Sequence, residues 1–262
     1  MILKVENLST YFFLEDRTIK AVDDISFEIH EGEIVALIGE SGSGKSVTAL
    51  SIVKLIEPPG KIVSGKVFWR DKIDILKLSE EELKNIRGNE ISLIFQDVTN
   101  SLNPVLTVGR QVGEVFEAKM GITRKGAKLK VIELFERIGI KEPEKVYDLY
   151  PHQLSGGLKQ RILIAMAFAP KPKLIIADEP TSFVDAVTQI QILELIKSFQ
   201  VENKTSILLI THNFGVVSEI ANRVYIMRRG KIIEEGKTFD VLSKPKHPYT
   251  RNLIESAKFL SL

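Results

Sequence analysis

The segment that constrains the fold most is Gly39-Glu-Ser-Gly-Ser-Gly-Lys-Ser46, which matches G-x-x-x-x-G-K-[ST] without a mismatch. Ahead of it lies Glu33–Ile38 (EIVALI), a short continuous apolar run that reads as a buried parallel strand. Behind it comes SVTALSIVKLI, whose apolar residues have helical spacing. Glycines at 39, 42 and 44 let consecutive backbone N–H groups converge on one point, at the positive end of the helix dipole. Such a loop predicts phosphate oxygens as its ligand. Gly39, Glu40, Ser41, Gly42, Ser43, Gly44, Lys45, Ser46 and Val47 form the cradle. Lys45 reaches the β- and γ-phosphates and the Ser46 hydroxyl ligates Mg²⁺. The plainer reading is a Gly/Ser-rich turn that happens to hold a lysine; the flanking strand and helix argue against it.

At 262 residues, the chain has room for one or two domains and a sizeable core. It has no cysteine, which excludes disulfides, thiolate metal sites, iron–sulfur clusters and a cysteine nucleophile. Thirty-six Lys and Arg against 34 Asp and Glu leave a net charge of +2, which gives no case for nucleic-acid binding. The longest apolar run, Ile162–Ala169, is far too short to span a bilayer, and MILKVENLSTYFF lacks the marks of a signal peptide. These features predict a soluble, cytoplasmic, globular protein.

Residues 2–35 alternate apolar and polar as half-buried strands do. Lys66–Arg70 and Ile91–Phe95 read as further strands, and Lys173–Ala177 and Ser206–Ile210 as buried ones. From about Ser101 to Ala169 the spacing is helical, with Val131, Leu134, Phe135 and Ile138 on one face. Val224–Met227 and Lys231–Glu235 flank Arg229-Gly230 as a hairpin. The pattern is an α/β core interrupted by a helical insertion of roughly 70 residues, longer than an ordinary connection.

Leu174-Ile-Ile-Ala-Asp178-Glu179-Pro180 puts two carboxylates at the C-terminal end of a buried strand, the edge at which open α/β sheets bind ligands. Asp178 is placed to hold the metal through water, and Glu179 to act as general base on the attacking water. Leu154-Ser155-Gly156-Gly157 opens a second helix with an N-cap residue and two glycines. Its exposed N–H groups make a second anion site, although a capped helix with a glycine entry is also common structure. One nucleotide leaves little room for two such loops from one chain, so a second copy could supply the other.

These motifs in order, with Gln96 in LIFQD, LSGGLKQR, Ser182–Asp185 and His212 in LLITHN, resemble the ATPase subunit of ABC transporters. The resemblance runs nearly end to end. SLNP after Gln96, YPHQLSGG and HPYT (His247–Thr250) look like the peptide/nickel importer subfamily. It implies a P-loop α/β core with a mainly parallel sheet, an N-terminal antiparallel β subdomain and an inserted helical subdomain. One domain, 1–262, would comprise a core of 1–100 and 171–262 and an insertion at 101–170. It also implies a head-to-tail dimer in which Ser155, Gly156 and Gly157 of one chain close over the ATP of the other. Gln96 would contact metal and attacking water, and its loop the membrane subunits. Asp185 would lie at the dimer contact, His212 would meet the γ-phosphate, and Tyr11, with Phe13 as the alternative, would stack on adenine. Mg²⁺ would be held by Ser46, Gln96 and Asp178, the last through water. The implied partners are a second ATPase subunit, identical or homologous, two permeases and, indirectly, an extracytoplasmic binding protein. The implied place is the cytoplasmic face of the membrane.

Leu158 stands where the family usually has glutamine, Phe183-Val184 replaces Ala-Leu, and Asn213 follows His212 in place of Asp. None removes a catalytic group. The chain ends 12 residues after HPYT, so any extra C-terminal domain is expected to be absent or very small. Importers of nickel or oligosaccharides and exporter motors share the same chemistry. Chromosome ATPases would need a long coiled coil, and ribosome-acting ones usually carry two cassettes. Neither feature is read in this sequence.

Overall fold

The computed structural model describes residues 1–96, 101–182 and 184–259, the last three by backbone only. Residues 97–100, within the Gln96 loop, and Phe183 lie outside them. The chain divides into two compact units, Met1–Arg87 with Ser206–Leu262, and Gly88–Thr205.

The first unit starts with strands β1 (Leu3–Phe13) and β2 (Thr18–Ile29), then β3 (Ile34–Ile38) and helix Lys45–Ile52. Strands β4 (Gly60–Trp69) and β5 (Ile73–Asp74) follow, with helix Glu80–Ile86. The antiparallel order β2-β1-β4-β5 makes a four-stranded sheet. Its alternating pattern buries Leu3, Val5 and Leu8 of β1 against Ile25, Phe27 and Ile29 of β2. The pattern at Lys66–Arg70 marks only the inner half of β4. Its outer half, from Gly60, pairs with β1 but is mostly exposed, so hydrophobicity does not announce it.

The second unit contains β6 (Ile91–Ile94) and β7 (Leu174–Asp178), paired in parallel with Ile91 opposite Leu174 and Ile94 opposite Ala177. Between them run helices Val108–Met120, Arg124–Arg137, Pro143–Tyr147 and Gly156–Phe168. Val131, Leu134, Phe135 and Ile138 are all buried, as their spacing requires. Helix Ala186–Asn203 follows β7, and its Phe199 stacks on Phe168 with ring centroids 4.9 Å apart.

The chain then returns to the first unit with β8 (Ser206–Thr211), helix Phe214–Ile220, β9 (Arg223–Arg228) and β10 (Lys231–Lys237). Helices Thr238–Ser243 and Pro248–Phe259 end the described chain. Strand β3 lies between β8 and β9, parallel to both, and β10 is antiparallel to β9. Every residue of β3 and β8 is buried, which explains their unbroken apolar runs. Among the described residues, no helix is long and apolar enough to cross a membrane.

Candidate nucleotide site

In the first unit, the chain leaves buried β3 at Ile38 and turns through glycines into helix Lys45–Ile52. Gly42 and Gly44 take φ of +76° and +109°, which L side chains rarely adopt. Any side chain at 39 or 44 would also collide with backbone. A Cβ on Gly39 would come 2.2 Å from the Met227 carbonyl oxygen, and one on Gly44 2.1 Å from that of Ala21. The loop is held from inside by Lys45, whose buried ammonium donates to the carbonyls of Gly39 (2.7 Å) and Glu40 (2.9 Å). From outside, the Gly230 N–H in the β9–β10 turn donates to the Ser43 carbonyl at 2.9 Å. Ser46 is exposed at the helix start.

Tyr11 lies on β1 opposite Lys20. Its hydroxyl donates to Asp23 at 2.7 Å, and the Lys20 ammonium sits 5.2 Å from its ring centre. The Tyr11 hydrogen bond is the main reason that the Asp23 carboxyl is held below its ordinary value; Lys20 and Lys231 add to it. Phe13 shares the Tyr11 face of β1 and is 48% exposed, with ring centroids 6.5 Å apart. His212, at the end of β8, is exposed. Asn213 next to it caps helix Phe214–Ile220, accepting from the Gly215 (2.9 Å) and Val216 (3.3 Å) N–H groups. An asparagine in place of aspartate therefore keeps the cap.

In the second unit, Asp178 ends β7 and Glu179 follows in a left-handed conformation, φ +50°, while 7% exposed. A non-glycine residue there carries strain of order 1–3 kcal/mol. The Ser182 hydroxyl donates to the Glu179 carboxylate at 3.2 Å, and the Ser182 N–H to its carbonyl at 3.1 Å. Ser155 caps helix Gly156–Phe168 by accepting from the Leu158 N–H at 3.4 Å. Gly156 faces open space, whereas a Cβ on Gly157 would meet the Thr188 methyl at 2.8 Å. Thr188 in turn is bound by Asp185, the cap of helix Ala186–Asn203: its hydroxyl and N–H donate at 2.6 and 3.0 Å. Those donors hold the Asp185 carboxyl below its ordinary value. Gly157 and the 185 turn are thus packed together. Gln96 is exposed just beyond β6.

Two residues in this unit were not singled out by the motifs. Gln160 is fully buried and its amide donates to the Pro180 carbonyl at 2.6 Å, tying helix Gly156–Phe168 to the turn after Glu179. Its side-chain oxygen has no partner among the described residues. Gln160→Leu should therefore cost about one net hydrogen bond, 0.5–1.5 kcal/mol, read as a lower denaturation midpoint. Gln111, also buried, accepts from the Asn103 N–H (2.8 Å) and donates to the Asn103 and Leu106 carbonyls (3.0 Å each). That side chain shapes the SLNP turn. Beside the turn is a groove of about 550 Å³, with an apolar floor including Ile94, Leu163 and Met166, and with Glu114 and Lys119 also in its lining. A glutamine three residues into a helix gives no sequence cue to such a role.

The ABC transporter family model matches residues 22–182, and this chain belongs to that family. It is an ATPase. It is 47% identical to the oligopeptide transport ATP-binding protein AppD of Bacillus subtilis (strain 168), over 97% of this chain and 78% of that protein. It is 44% identical to the dipeptide transport ATP-binding protein DppD of Haemophilus influenzae, over 97% of this chain and 77% of that one. Among solved structures, it resembles the dimeric ATP-binding cassette MJ0796 bound to ADP and Pi after hydrolysis. That match has a TM-score of 0.81 at 29% identity, covering 90% of this chain and 99% of that one.

Proposed function

We propose that this chain is the ATP-hydrolysing motor of an ABC importer for oligopeptides or dipeptides, working at the cytoplasmic face of the membrane. The observation that carries the two-chain site is the presence of two glycine-opened helix starts, at Lys45 and at Gly156, in different units of one chain. A nucleotide needs one phosphate loop. The second start, Ser155-Gly156-Gly157, is therefore offered to the nucleotide of a partner ATPase, identical or homologous, with Asp185 at the contact. Two-fold symmetry then gives two equivalent sites. The peptide solute rests on what the named relatives transport. Nickel or oligosaccharide uptake and export remain the competing outcomes.

Within the site, Gly39–Val47 hold the phosphates, Tyr11 or Phe13 faces the adenine, and Glu179 takes the proton of the attacking water. Gln96 would contact the metal and the attacking water, and His212 meets the γ-phosphate. Ser46, Gln96 and Asp178 offer only oxygen donors, a hard set suited to Mg²⁺, and no cluster of three or more His, Cys, Asp or Glu that could cage a metal occurs among the described residues. Magnesium bound there would neutralise phosphate charge. The chain forms one cassette, 1–262, with a nucleotide-binding core of 1–100 and 171–262 and a helical insertion at 101–170.

The groove beside Asn103 takes a short segment of a permease, with its apolar floor for the segment's apolar face. Cysteines placed at Ser101 or Asn103 should crosslink to a permease in the assembled transporter, and vesicles carrying it should accumulate peptide only with ATP. Crosslinks consistently formed elsewhere would reject the groove, and uptake of another solute class would reject the peptide.

A further inference from the structure

The HPYT segment, His247–Thr250, is used by none of the chemistry above. It starts helix Pro248–Phe259 of the first unit. Two backbone N–H groups, of Lys246 (2.7 Å) and His247 (3.0 Å), donate to the Glu234 carboxylate on β10. The His247 Nδ1 then accepts from the Tyr249 N–H at 3.1 Å, so the ring holds the first turn in place. These bonds fix Tyr249, which is 7% exposed and packs in one cluster with Ala36 and Ile38 of β3 and with Val224 and Ile226 of β9. The Arg228 guanidinium lies 4.4 Å from the centre of its ring. The Tyr249 hydroxyl is thereby brought to the end of β3, where it accepts from the Glu40 N–H at 3.4 Å. Burial, with the Glu40 carboxylate nearby, pushes the phenol up, so it stays protonated.

Glu40 N–H and Gly39 C=O belong to one peptide group, the first of the phosphate loop. Lys45 holds its carbonyl at 2.7 Å and Tyr249 meets its N–H, so the plane is gripped on both edges. Lys45 is also the side chain that must meet the phosphates. We propose that Tyr249 is a positioning residue for the phosphate loop: its hydroxyl fixes the Gly39–Glu40 peptide and so sets the grip of the loop on a nucleoside triphosphate. This rests on reading Gly39–Val47 as the phosphate loop. A phenylalanine would fill the same space and keep the Arg228 contact. The hydroxyl is what the peptide group needs.

The test uses the full chain, with the nucleotide analogue AMP-PNP for binding and MgATP for turnover, in wild type, Tyr249→Phe and Lys45→Ala. Loss of one hydrogen bond to the loop should raise the AMP-PNP Kd of Tyr249→Phe about three- to tenfold. The KM for ATP should rise with it, kcat should stay within about twofold, and the nucleotide-free melting point should fall by only a few degrees. Hydrogen exchange of the Glu40 amide, followed by NMR, should be slow in the wild type and faster in Tyr249→Phe. A Kd within twofold of wild type, while Lys45→Ala has lost affinity, overturns the proposal. If Lys45→Ala binds AMP-PNP as wild type does, the phosphate-loop reading fails first and the proposal with it. Should Tyr249→Phe melt far earlier than that, exchange in the wild type decides: a protected Glu40 amide supports the proposal and a freely exchanging one overturns it.

Discussion

Glu179→Gln should bind ATP as the wild type does and hydrolyse it about 10²–10⁴-fold more slowly, the usual cost of losing a general base. The amide keeps the size of the carboxylate and can keep the Ser182 hydrogen bond, so the strained turn at φ +50° has no new reason to relax. What it loses is the ability to take a proton from water. Equilibrium binding beside single-turnover hydrolysis separates the two effects. If the variant hydrolyses within a few-fold of wild type, the base is another group, with His212 the first to try.

Lys45→Ala acts on binding instead. The buried ammonium is taken from the phosphates, and the carbonyls of Gly39 and Glu40 lose the donor that bridges them inside the loop. Hydrogen bonds to charged groups contribute about 1.5–3 kcal/mol each, so ATP affinity should fall at least about 10–100-fold. The rise in melting temperature that ATP gives the wild type should shrink in step, because ligand stabilisation follows the ratio of concentration to Kd. Unchanged affinity would contradict the assignment of this loop.

The parts of the molecule that are local in sequence were legible in it. The apolar runs at Glu33–Ile38, Lys173–Ala177 and Ser206–Ile210 became β3, β7 and β8, because strands buried on both faces need no polar alternation. Ser155 reads as a helix cap and is one. Other features depend on partners far along the chain, and periodicity carries no information about them. Tyr249 and Glu40 are 209 positions apart. Gln160 looks like one more polar residue in a helix until Pro180 is seen beneath it. The left-handed turn at Glu179 was also hidden, since nothing in the residue type favours it and the fold imposes it. Asn213 looked like a departure near the site, but it does the capping work expected of aspartate.

The position of β3 sets an order on the making of this protein. Both of its neighbours, β8 and β9, come from beyond residue 205, and the turn that braces Ser43 comes later still, at Gly230. A chain emerging from the ribosome exposes EIVALI and its glycine loop long before any strand exists to pair with them. Such distant pairings form late, because the loop between them has to close first. Until then β3 is an apolar strand with two open edges, and such edges are prone to stick to another chain. The loop cannot take its braced shape until the chain has been made at least as far as Gly230, so nucleotide capture by this segment also reports that the strands beyond residue 205 have been made and paired.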